Sequence, residues 1–73
     1  MKFYCDKSRH LICEPYSINN LHEMANILNI KRCWYHNNKY PHYDIPKKRI
    51  DEIMSKCEVI TSHQLLSIIK NSK

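Results

Sequence analysis

Pro41-His42-Tyr43-Asp44-Ile45-Pro46-Lys47-Lys48-Arg49-Ile50 is the stretch on which the reading of this chain turns. Its first half is extended or looped, bracketed by two prolines, and a residue before proline is biased away from helix. Its second half starts a helix. Pro46 suits a first helical turn, where its missing N–H is harmless, and Ile50, Ile53 and Met54 then recur on one face. Asp44 lies two residues before Pro46 and is a candidate cap for a helix over about 46–55.

The same passage from extended to helical recurs on either side. Phe3-Tyr4-Cys5 reads as a short first strand, Lys7-Ser8-Arg9 as a polar connection, and His10-Leu11-Ile12-Cys13 as an extended or irregular apolar run. Ser17 is a good N-cap. Ile18, Leu21, Met24, Ala25 and Leu28 form one apolar stripe, which predicts a helix over 18–29 that ends on Asn29 in the left-handed conformation. Cys33-Trp34-Tyr35-His36 reads as an aromatic strand and Cys57-Glu58-Val59-Ile60-Thr61 as a β-branched one. Thr61 and Gln64 match a capping box at the head of a third helix reaching about residue 71. Strand and helix alternate three times. That order predicts a small two- or three-layer α/β domain with a mainly parallel three-stranded sheet and three helices. In such sheets the ligand crevice lies beyond the carboxyl ends of the strands. Asp6, His36, Ser62 and the segment Tyr40 to Asp44 all fall there.

A chain of 73 residues is read as one domain. At this size a domain buries only about 60% of its unfolded surface, so a metal, a partner or a small homo-oligomer would help a monomer that is otherwise able to fold. No apolar run approaches the roughly 20 residues of a membrane span. The first residues lack the apolar core of a signal peptide, so the expected location is the cytoplasm, with no membrane partner. There Cys5, Cys13, Cys33 and Cys57 are expected as free thiols filling the core. The net charge of +5 favours an anionic partner, nucleic acid before others. There is no glycine, which excludes a P-loop or a dinucleotide fingerprint. It also hands positive-φ turns to asparagine, with Asn29, Asn37 and Asn38 as candidates.

Four groups carry candidate chemistry. In an extended segment His42 and Asp44 point to one face. Such a pair can orient a histidine tautomer or share a metal or a proton; equally, Asp44 can cap the next helix while His42 bonds to backbone. Lys47, Lys48 and Arg49 occupy a helical first turn, where cations oppose the helix dipole. They form either a phosphate-holding corner or a solvated face balanced by Asp44, Asp51 and Glu52. Tyr40 is the aromatic best placed to stack on a base, whereas Trp34 is expected in the core. His10-x-x-Cys13 and Cys33-x-x-His36 have the spacing of two zinc half-sites, so His10, Cys13, Cys33 and His36 stand as weak candidates for a structural zinc. No other cofactor is expected.

His10-Leu11, Leu21-His22-Glu23 with Ala25, Trp34-Tyr35 and Pro41-His42-Tyr43-Asp44-Ile45 recur in an order and spacing that resembles a domain-of-unknown-function family of bacteria and bacteriophages marked by a His-Tyr-Asp motif. The resemblance covers about residues 1–60. It implies a compact α/β domain, with His10, His22, Trp34, His42, Tyr43 and Asp44 as matching positions, and no established activity. The chain departs from the family's glycines at Asn29 and Lys56. A phage origin in a host cytoplasm, and a role assisting RNA or tRNA processing, follow as expectations of the resemblance.

Three functions are therefore expected, in this order. The first is a basic accessory protein that binds nucleic acid, RNA above all, through a corner made by Tyr40, His42 and Asp44 with Lys47, Lys48 and Arg49. The second is a metal-assisted hydrolase or nuclease using Asp6, His10, His42 and Asp44, with His10, His42 and Asp44 as catalytic candidates. The third is a phage factor that binds and inhibits a host protein.

Overall fold

The computed structural model describes residues 1–72. Its strands are β1 (Lys2–Cys5), β2 (His10–Glu14), β3 (Tyr35–His36), β4 (His42–Asp44) and β5 (Glu58–Val59), and its helices α1 (Ile18–Leu28), α2 (Ile50–Met54) and α3 (Ser62–Asn71). Short 3-10 turns at Arg32–Trp34 and Lys47–Arg49 precede β3 and α2. The five strands form one sheet in the order β3-β4-β2-β1-β5.

This α/β sheet is mixed and mostly antiparallel, not the mainly parallel three-stranded sheet expected from the alternation. The reason is loop length. A parallel pair needs a crossover of a dozen or more residues, whereas antiparallel strands accept a short turn. Only residues 6–9 separate β1 from β2, and only 37–41 separate β3 from β4, so both pairs are antiparallel. β2 also pairs antiparallel with β4, setting His10 opposite Asp44 and Leu11 opposite Tyr43. The one parallel pair is β1 with β5, which sits at the far edge after a long return through the helices.

The sequence between the strands behaves largely as its capping chemistry requires. Ser17 accepts the backbone N–H of Asn20 at 3.0 Å and starts α1. Asn29 ends it at φ 57°, ψ 48°, the left-handed conformation that a glycine would otherwise supply. The other positive φ among the described residues belongs to Arg9, at 69°, not to Asn37 or Asn38. Thr61 and Gln64 complete the expected capping box of α3. The second helix is shorter than expected, because Lys47–Arg49 is a 3-10 turn and the α-helix proper begins at Ile50. Asp44 does not cap it; its carboxylate faces two histidines instead.

Leu11, Ile12 and Cys13 of the central strand are all buried, the pattern of a strand covered on both faces. Tyr43 reaches the face where His22 of α1 lies, and His42, one residue earlier, reaches the face walled by Leu65 of α3. Cys5 and Cys13 fill the core as expected, but Cys57 is only partly buried and Cys33 is exposed. Trp34 lies in the 3-10 turn before β3, packed against the core's margin. No helix among the described residues is long and apolar enough to cross a membrane.

Candidate metal centre

Asp6 is the one charged side chain buried among the described residues, at 1% exposure. It sits in the tight β1–β2 turn, and four donors explain why it tolerates burial. Its Oδ1 accepts the backbone N–H groups of Ser8 at 2.9 Å and His10 at 3.0 Å. Its Oδ2 lies 2.9 Å from His10 Nδ1 and accepts the Ser62 hydroxyl at 2.7 Å. Burial alone would raise its pKa. The Ser62 hydroxyl, the His10 ring and the His10 backbone N–H more than offset it and hold the carboxyl below its usual range. An ionised carboxylate only accepts, so His10 Nδ1 carries a proton, and in the neutral ring the lone pair is on Nε2.

His42 is fixed in the same sense by a different partner. Its Nδ1 lies 2.8 Å from the carbonyl oxygen of Tyr40. A carbonyl cannot donate, so Nδ1–H donates, and in the neutral ring the lone pair is again on Nε2. That Nε2 faces Asp44 Oδ1 at 3.3 Å. A lone pair opposite a carboxylate oxygen calls for a positive charge between them, either a metal ion or a proton. The rings of His10 and His42 meet edge to face, with centroids 5.0 Å apart. His36, 48% exposed, stacks on His42 and places Nε2 2.8 Å from Asp44 Oδ2.

The β2–β4 register brings these groups together. His10 lies opposite Asp44, and alternation along β4 puts His42 on the same face. One donor atom from each of His10, His42 and Asp44 lies within 4.8 Å of the other two. Tetrahedral bonds of about 2.1 Å set donors about 3.4 Å apart, so side-chain rotations of roughly 1 Å would close the set on an ion. Beside it opens a cavity of about 260 Å³. Asp6, His10, His42 and Ser62 make its polar side, and Tyr40, Leu65, Leu66 and Ile69 its apolar wall.

The middle residue of the triplet has a different task. Tyr43 is fully buried, and its hydroxyl lies 2.6 Å from His22 Nδ1. Burial pushes the tyrosine's pKa up and the histidine's down, so both stay neutral. Of the six positions carried by the family resemblance, three converge on the candidate metal-holding set (His10, His42 and Asp44) and two form this internal contact.

Other expected groupings come apart. Tyr40 and His42 border the cavity just described, whereas Lys47, Lys48 and Arg49 border a second one. Arg49 is occupied: it donates to the carbonyls of Leu28 and Asn29 at 2.7 and 2.6 Å and pairs with Glu52 at 2.8 Å. The zinc half-sites do not meet. Cys13 is buried and directs its thiol at the Pro15 carbonyl, Cys33 is exposed, and His36 turns to Asp44. Among the described residues, only His10, His42 and Asp44 group as a metal-holding set. Spacing offers no signal for Ser62, whose one sequence signal is a position at a strand end, and it pairs His36 with Cys33 as a zinc half-site rather than with Asp44.

No curated protein and no solved structure matches this chain. One family model does, over residues 5–72, described as a protein of unknown function, DUF4031, and the chain belongs to that family.

Proposed function

We propose that this chain is a metal-assisted hydrolase of phosphate esters, with His10, His42 and Asp44 holding a divalent ion and Asp6 orienting His10. The observation that carries the reading is the commitment of both imidazoles through Nδ1, one to a carboxylate and one to a carbonyl. Metal-ligating histidines are held in this way, because an acceptor on one nitrogen fixes the tautomer and raises the basicity of the other. Imidazole and carboxylate donors suit zinc, manganese and iron among common ions.

A divalent ion held by these three residues would keep a coordination position for water and would supply the Lewis acidity that lowers that water's pKa. Water activated in this way would add its oxygen to phosphorus while its proton passes to solvent. The ester P–O bond breaks with its electron pair leaving on oxygen, and the departing alkoxide takes up a proton. Ester and water are consumed, and a phosphate and an alcohol are formed. The net charge of +5 favours such an anionic substrate.

The test is calorimetric titration of EDTA-stripped protein with Zn²⁺ and Mn²⁺, followed by assay on bis(p-nitrophenyl) phosphate. Binding of one ion per chain is expected. It should weaken sharply in His10→Ala, His42→Ala and Asp44→Asn and persist in His63→Ala, whose ring is exposed on α3. No stoichiometric binding by the native chain removes the metal centre. Stoichiometric binding without ester cleavage removes the hydrolase, as does iron-dependent oxygen consumption.

A further inference from the structure

The candidate metal cluster borders only one of several concavities among the described residues. A second, about 560 Å³, is floored by Ile30, Trp34 and Pro46 and rimmed by Arg9, Lys31, Lys47 and Lys48. Arg49 also reaches it, but its guanidinium is spent on Leu28, Asn29 and Glu52. No aspartate or glutamate lines it. Among the described residues, Lys31, Lys47 and Lys48 make no ion pair, and all three are exposed. Arg9 donates one bond, to the Ile45 carbonyl at 3.2 Å, which leaves further guanidinium N–H groups for a ligand.

We propose that this concavity binds single-stranded nucleic acid, with Arg9, Lys31, Lys47 and Lys48 taking successive phosphates and the Trp34 indole stacking on a base. The charge complementarity is one-sided, four cations with no carboxylate among the lining, and calls for a ligand with repeated negative charge. The partly buried indole within the same concavity calls for a flat π-surface beside that charge. An unpaired strand supplies both, because every base has a face to stack. An acidic peptide would satisfy the lysines and leave the indole unused. A duplex keeps its bases stacked on one another.

The placement also relates the two sites. Arg9 directly precedes His10, and Pro46 follows Asp44 by two residues. A strand lying in this concavity therefore abuts the chain segments that carry the metal cluster. The proposal itself stands on the second concavity and does not need the metal reading.

The experiment is fluorescence anisotropy of a short fluorescein-labelled oligouridine, in EDTA so that the metal centre plays no part. Binding at low salt is expected. With four phosphate contacts on a single strand, affinity should fall about fifty-fold between about 50 and 200 mM salt. Trp34 is the only tryptophan, so its intrinsic fluorescence should quench as the oligonucleotide binds. The triple variant Lys31→Gln, Lys47→Gln, Lys48→Gln should lose most of the affinity and about three-quarters of the salt slope. Its Zn²⁺ titration and thermal melt should match the native protein, since all three side chains are exposed. The proposal is overturned by no binding at low salt, by binding that the triple variant retains, or by unquenched Trp34. Equal affinity for a duplex overturns it too, as does displacement by polyglutamate as readily as by unlabelled strand.

Discussion

The carboxylate of Asp6 holds His10 at two points, accepting its backbone N–H on one oxygen at 3.0 Å and meeting its ring Nδ1 on the other at 2.9 Å. Backbone position and ring tautomer are thus set by one buried group. Asp6→Asn is expected to lower metal affinity about 10- to 100-fold, the usual effect of removing a ligand's hydrogen-bonding carboxylate. Asp6→Ala should in addition leave the Ser8 and His10 N–H groups and the Ser62 hydroxyl without their acceptor, a destabilisation of about 1–3 kcal/mol. Metal titration and urea denaturation of the two variants separate these effects.

Tyr43 and His22 predict the opposite division. Tyr43→Phe keeps the buried ring and removes the hydroxyl that lies 2.6 Å from His22. It should destabilise the fold by about 1–2 kcal/mol while leaving metal affinity unchanged. A lost metal site in a variant that still melts cooperatively would show that Tyr43 serves the cluster rather than the core.

Arg49 ties the carboxyl end of α1 to the start of α2, since its donors end on Leu28, Asn29 and Glu52. Its neighbours Lys47 and Lys48 make no such contact among the described residues. Arg49→Ala should lower the urea midpoint, whereas Lys47→Ala and Lys48→Ala should leave it in place. The same arginine holds the Glu52 carboxyl at a pKa of about 2, by hydrogen bonding first.

The thiols give a pH dependence with a definite sign. Burial pushes Cys13 up to about 11, and burial with the neighbouring Cys5 pushes Cys57 up to about 12, from the usual 9.0. Well below pH 9.0 both are neutral in the folded and unfolded chains, and the stability of burying them is fully present. Above that, the unfolded chain releases protons that the folded chain keeps, so stability falls with rising pH until the folded values are reached. Cys57→Ala should show a shallower alkaline loss in urea midpoints. At about pH 8, iodoacetamide should label exposed Cys33 well before buried Cys13 or partly buried Cys57, as peptide mapping would show.

What could be read directly was local. Ser17, Asn29, Thr61 and Gln64 act where their capping chemistry says, because a cap depends on atoms three or four residues away. The apolar stripe of α1 is buried at Leu21, Met24, Ala25 and Leu28, because helical periodicity is set by backbone geometry. His42 and Asp44 share a face for the same kind of reason, the two-residue period of a strand. The pairing of strands was not local. Nothing within His10 to Cys13 says that it lies between β1 and β4, and without that strand the sheet looked parallel. The site followed the pairing. Only the β2–β4 register sets His10 against Asp44, and only the packing of α3 brings Ser62 to Asp6 across fifty-six positions of chain. Sequence by itself determined α1 and α3, their caps and the shared face of His42 and Asp44. The tertiary structure decided that His10 joins them, that Tyr43 turns away into the core, and that the basic turn after Pro46 borders a separate concavity, because those relations depend on contacts between segments far apart in the chain.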